Sequence, residues 1–408
     1  MTVTIIQPLQ HRSIRRIWFG QALAALGTQL YSVALLWTAV GILGAGAGYL
    51  AMLQAAAVLV GSLLGGALTD GWHPRVTMIG ADAARAAAVL ALPVAQMLGG
   101  VSSNLLVGVA FVVGFMTGCF DPTLQATLTP RASDRGLRHA VNGLFDATQR
   151  LARIAGPALV FLIHRAVPAI YFFVVTATTY MASAAAIAAS PIAGPKPDPR
   201  GAAGPIEAVV AGFRALRGRP LLIYALATSA IANLAWAGGY LFGMALVFRH
   251  DRTESLTGYS LMACAYGAGN LVSNIVLARR PPAAAARWIV ASRLIFGGGL
   301  VLIALGLPLP WLMVVAAATA VNGPLADLTI LHLLQSSMPA SLLARAFRAQ
   351  TCIAWSGMLL GYLIAPQLLR WLPTSSMVAL LGAITAAAGL AGLGFLSPRR
   401  ALTGHTGA

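Results

Sequence analysis

The chain has 408 residues, of which 58% are hydrophobic and only 9% charged, and 27 Lys and Arg against 10 Asp and Glu give it a formal charge of +17. A soluble domain carries roughly 25% charged residues, which excludes water as the main solvent, and the long unbroken apolar runs exclude a membrane barrel, whose strands alternate. The basic residues sit in short loops between those runs, a topology signal of a membrane protein rather than a nucleic-acid surface.

The first sixteen residues are polar and basic, and the apolar stretch after them is too long for a signal-peptide core. It is read as a retained first span. At about 20 apolar residues per crossing, spans are expected near 17–42, 48–68, 76–98, 105–124, 140–163 and 169–190. A polar break follows at 191–220, with five prolines before Ile206 and the only lysine, Lys196. Its second part, PIEAVVAGFRALRGRP, has the pattern of an amphipathic interfacial helix. Six more spans are expected near 221–248, 257–278, 288–307, 311–334, 349–369 and 375–396. The organisation is thus an N-terminal six-helix bundle over 1–190, a linker over 191–220 and a C-terminal six-helix bundle over 221–408.

With the N-terminus inside, 19 Lys and Arg fall in cytoplasmic segments, 4 in external loops and 4 within spans. This bias places both termini in the cytoplasm of a bacterial-type inner membrane. The halves also read as repeats. Pro130 and Pro157 in the first match Pro339 and Pro366 in the second at an offset of 209, and Arg85 matches Arg293 at 208.

The loop between spans 2 and 3 reads GGALTDGWHPRV. It resembles the loop signature of the major facilitator superfamily, G-x-L-x-D-R-x-G-R-[RK], matching at Gly66, Leu68, Asp70 and Arg75. Gly71, His73 and Pro74 depart from it. Further stretches are similar to the drug–proton antiporter branch, which includes macrolide and siderophore exporters: RRIWFGQALAALGTQLYSVAL, ADAARA, NGLFDATQRLARIAGPAL and FRALRGRP. The resemblance implies an all-α fold of twelve helices in two pseudo-symmetric bundles around one cavity, lined in part by spans 4 and 10. It also implies that Asp70 helps hold an inner gate, to which Arg75, Asp82 and Arg85 are assigned.

Charges inside spans are functional candidates by default. Asp146, Arg150 and Arg153 lie at i, i+4 and i+7 on one face of span 5, which Pro157 continues after Gly156. Asp121 and Asp327 each fall sixteen residues into spans 4 and 10. These five form the expected network for proton coupling and substrate charge, against the plainer reading of a static salt-bridge network. Asp82, Arg85 and Arg293, nearer span ends, read more simply as snorkelling or paired groups. Gln29, Trp37, Asn233, Trp236, Tyr240 and Asn322 are expected to line the substrate cavity, with interhelical hydrogen bonding as the alternative. Gly156, Pro157, Pro324 and Pro366 are expected hinges.

Other chemistries lack their residues. Lys196 follows Pro195, so there is no Walker loop, and no H-E-x-x-H or G-x-S-x-G occurs. Cys119, Cys264 and Cys352 lie scattered in apolar segments, and no His pair has zinc spacing. No cofactor, metal or enzymatic activity is expected. The expected partners are a small-molecule substrate, protons and the bilayer, for a monomer that exports a small amphipathic organic molecule by alternating access. The alternatives are a siderophore transporter, outward or inward, and a non-transporting membrane sensor or scaffold.

Overall fold

A computed structural model describes residues 7–69, 72–128, 135–164, 166–191, 214, 216, 218–251, 256–277, 284–338 and 340–395. Asp70 and most of the 191–220 linker, with its expected amphipathic helix, lie outside the described residues.

The described chain is helical. In order come α1 (Arg12–Leu43), α2 (Ala47–Thr69), α3 (Pro74–Met97), α4 (Ser103–Leu128), α5 (Arg135–Ile163) and α6 (Phe172–Ala188). The second half has α7 (Pro220–Ala235), α8 (Leu256–Leu277), α9 (Ala285–Ala304), α10 (Leu309–Thr319), α11 (Asn322–Ser337), α12 (Ala340–Leu368) and α13 (Thr374–Leu390). Ten stretches among the described residues are long and apolar enough to cross a membrane, and one of them, Arg12–Ser62, runs through α1 and into α2. The helix α5 is not among them, because Asp146, Arg150 and Arg153 interrupt its apolar run.

The chain divides into two compact units, residues 1–200 with 253–264, and residues 201–252 with 265–408. In the first, α1 packs on α5 and α6, α2 on α4, and α3 on α4 and α6. Small residues set these distances: a Cβ on Gly114 would lie 3.1 Å from that of Ala57, so α2 and α4 meet backbone to backbone. Ile14, Ile17, Met78, Phe120, Val141 and Ile187 form an apolar cluster at one end of this unit. The first turns of α8 group with it, and there Trp37 stacks on Tyr259 with ring centroids 6.4 Å apart.

In the second unit, α9 packs on α13 and α7 on α12. Two stretches of this unit depart from a plain α-helix. Beyond α7 the chain widens into a π-helix over Trp236–Gly243 and again over Val247–Asp251. The Gly238-Gly239 pair and Gly243 leave this segment without side chains against its neighbours, and a Cβ on Gly238 would lie 2.7 Å from the Gly361 carbonyl oxygen of α12. Span 10 is broken into α10 and α11. Pro324 has no N–H to return to the Ala320 carbonyl, so that oxygen accepts instead from Asn270 Nδ2 of α8 at 3.3 Å and from the Gly323 N–H at 3.3 Å. By contrast α5 runs unbroken through Pro157 and α12 through Pro366.

Candidate functional site

Among the described residues, charged and polar groups at membrane depth collect in three places. The first is on α3, α4 and α6. Asp82 and Arg85 stand one turn apart on α3, about 12 and 16 Å from its start, and are 0% and 4% exposed. Asp82 Oδ1 and Arg85 Nη2 form an ion pair. The guanidinium lies between the rings of Phe120 and Tyr180, 4.4 and 4.6 Å from their centroids, and Nη1 donates to Thr117 Oγ1 at 3.5 Å. Asp121, the residue after Phe120, is exposed and interacts electrostatically with Arg85 and Asp82. Around them Tyr180 and Thr28 share a 3.2 Å hydrogen bond, and Gln21 donates to Ser183 at 2.7 Å.

Of the two sequence readings of Asp82 and Arg85, snorkelling or pairing, the structure has the pair. Snorkelling would bring a charged head to water at the helix end. Both groups are instead sealed between α3, α4 and α6. Arg75 does lie at that end, half-buried, in a first turn capped by His73 Nδ1, which accepts from the Arg75 N–H at 3.2 Å.

The second place is α5. Gln149 and Arg153 are exposed and Arg150 is half-buried, in the middle of a helix of 29 residues. At 3.6 residues per turn, Leu151 and Leu162 point roughly the opposite way, and they are 54% and 68% exposed. One helix therefore has an apolar open face and a polar open face. Only the first suits lipid; the second suits water. The side chain of Asp146 lies outside the described residues. Gly156 and Pro157 are buried, and a Cβ on Gly156 would strike the half-buried Gln29 of α1, so Gly156 lets α1 and α5 meet there. Nearby Trp18 donates to Thr148 at 2.8 Å.

The third place is in the second unit. Arg293 of α9 is 1% exposed. Its Nε donates to Thr228 Oγ1 at 3.3 Å and its Nη2 to the Ala225 carbonyl at 3.5 Å, both on α7. The Asn322 amide at the start of α11 lies 3.3 Å from Nη1. The charge of Asp327, exposed on α11, acts on Arg293, as does Tyr224. Arg293, read from sequence as snorkelling or paired, is thus held away from water by groups on α7 and α11. Asn322 belongs to this cluster and to the helix break at Pro324. Of the other expected cavity residues, Asn233, Trp236 and Tyr240 follow one another along α7 and its π-helical continuation. Asn233 turns its amide back to the Ser229 carbonyl at 2.8 Å, Trp236 is half-buried, and Tyr240 lies against Tyr266 with centroids 4.5 Å apart. Sequence reasoning missed Asn270, whose only signal was an amide on a span facing the Asn322-Gly323-Pro324 break.

A helical chain of this length with charged groups buried at mid-span in both halves has the build of a transporter. The sequence profile of the Major Facilitator Superfamily matches residues 17–362. The chain belongs to the major facilitator superfamily. Among its relatives, the multidrug efflux pump Tap of Mycolicibacterium fortuitum is 28% identical over 372 residues, covering 86% of this chain and 87% of that one. The Tap pump of Mycobacterium tuberculosis (strain ATCC 25618 / H37Rv) is 29% identical over 374 residues, covering 86% and 85%. Solved structures of similar fold include a POT family transporter in complex with a thioalcohol conjugated peptide, with a TM-score of 0.72 at 12% identity over 94% of this chain and 96% of that one. The POT family transporter PepTSo has a TM-score of 0.70 at 13% identity, covering 94% and 97%. These show the fold. As a member of the superfamily, the chain is a multi-pass membrane protein that transports small molecules.

Proposed function

We propose that this major facilitator is a proton-coupled exporter of small amphipathic organic molecules working by alternating access. The observation that carries the reading is the second open face of α5, where Gln149 and Arg153 are exposed at mid-span opposite the exposed Leu151 and Leu162. Charge at that depth needs water beside it, and a water-filled path across the membrane is what a transporter requires. The similarity to Tap, named a multidrug efflux pump, supports outward movement of drug-like molecules. Exposed carboxylates at Asp121 and Asp327 supply groups able to take up and release protons. We infer further that the protein works as a monomer in the bacterial inner membrane, with both termini in the cytoplasm, in keeping with 19 Lys and Arg on that side against 4 outside.

Purified protein in liposomes tests this. An imposed pH gradient alone should drive lipophilic dye or antibiotic probes across the membrane, and a protonophore should stop them. Transport that needs ATP and ignores every ion gradient would end the reading.

A further inference from the structure

The cluster on α3, α4 and α6 does not balance its charge. Asp82 and Arg85 touch and neutralise each other. Asp121 is then left with a cation whose charge is already engaged and with a second carboxylate that repels it. Among the described residues it has no hydrogen bond and no ion pair. The three groups together carry one excess negative charge. The remaining neighbours are neutral: Thr117 and Phe120 on α4, Tyr180 and Ser183 on α6, Thr28 and Tyr31 on α1. The helix α2, which packs on α4, offers Tyr49 as its one titratable group among the described residues. Asp82 Oδ2 and Arg85 Nε are buried without a hydrogen-bond partner, so the cluster is not a closed structural network.

An excess charge at membrane depth is expensive until a positive charge joins it. A carboxylate left open at membrane depth belongs beside water and not lipid, so this charge can arrive from water. We propose that Asp121 is the carboxylate that carries the exchanged proton, that the Asp82–Arg85 pair positions it, and that the cargo displacing the proton is a cation. The proposal rests on the proton-coupled export reading above. With a proton on Asp121 the cluster is neutral; with a cationic group beside the ionised carboxylate it is neutral again. Both together leave it positive, and neither leaves it negative. Mutual exclusion of proton and cargo follows from charge balance, and that exclusion couples their movements. An anionic cargo would double the imbalance.

The test uses purified full-length protein, tetraphenylphosphonium as the cationic probe and a hydrophobic carbodiimide, which modifies protonated carboxyls. Peptide mapping of the wild type should place the label on Asp121, with labelling that falls as pH rises and is blocked by tetraphenylphosphonium. Adding the probe in weakly buffered solution should release a proton from the wild type but none from Asp121→Asn. The positioning pair has its own readout: Asp82→Asn turns Arg85 wholly towards Asp121, so labelling at a fixed mildly acidic pH should fall roughly tenfold or more. Label on Asp327 or Asp146 in place of Asp121 overturns the proposal, as does undiminished proton release from Asp121→Asn. Should that variant fail to fold, the labelling of the wild type decides. A labelled Asp121 that releases no proton to the probe overturns the cationic cargo. If the wild type exchanges probe for protons and Asp121→Asn does so with unchanged pH dependence, the residue assignment fails and the export reading stands. If Asp121 labels as expected but no pH gradient moves any probe, the export reading fails instead.

Discussion

Arg85 and Arg293 occupy matching places, 208 residues apart, and both are buried, yet the two halves hold them by different means. Arg85 has a carboxylate one turn away on its own helix and two aromatic faces around it. Arg293 has Val290 at the corresponding position and rests on a hydroxyl, a backbone carbonyl and an amide, with the charge of Asp327 acting from α11. The pattern of a repeat therefore sets where a charge goes without setting how it is compensated. A direct ion pair fixes its site internally. Neutral acceptors plus a carboxylate on another helix tie the arginine to the packing of α7, α9 and α11.

That contrast predicts unequal costs. The largest falls on Arg85→Met, which strands the buried Asp82 and should cost about 3–5 kcal/mol, read as a lowered unfolding midpoint in detergent. The double variant Asp82→Asn/Arg85→Met should recover most of that loss. If the single and double variants melt together, the pair is not the holding interaction. Arg293→Met leaves only neutral groups buried without their partner, Asp327 being exposed, and should cost about 1–3 kcal/mol. A loss matching that of Arg85→Met would erase the distinction between the halves. The smallest effect concerns the break beside Asn322. Asn270→Ala should cost about 1 kcal/mol in the natural chain and less in Pro324→Ala, where the restored N–H can take the Ala320 carbonyl. Equal costs in both backgrounds would show that Asn270 acts elsewhere.

Much of this was legible from hydropathy. The expected span at 76–98 is the helix Pro74–Met97, and that at 257–278 is Leu256–Leu277. The larger misses are at polar helix ends. The helix α12 starts at Ala340 and α5 at Arg135, before their apolar runs begin, because backbone hydrogen bonding continues where hydropathy has stopped. The break in span 10 follows from Asn322-Gly323-Pro324, a local signal. The π-helical stretch at Trp236–Gly243 does not, since a glycine pair in a span reads equally well as a close helix contact. Burial of Asp82 and Arg85 was illegible for another reason. The spacing i, i+3 permits their pairing, but whether they reach water depends on Phe120 and Tyr180, which lie 35 and 95 residues beyond Arg85.

The two-faced helix α5 also bears on how the chain is made. A charged residue at the centre of a lone helix resists partition from the translocon into lipid by about 2.5–3.5 kcal/mol, and α5 has Asp146, Arg150 and Arg153 in its central turns. It is a poor recruit to the bilayer by itself. The contacts that shelter it are with α1, already synthesised when α5 emerges. Biogenesis of the first half thus depends on α1 waiting near the exit of the translocon, so that α5 enters the membrane beside a partner helix and not as a solitary span.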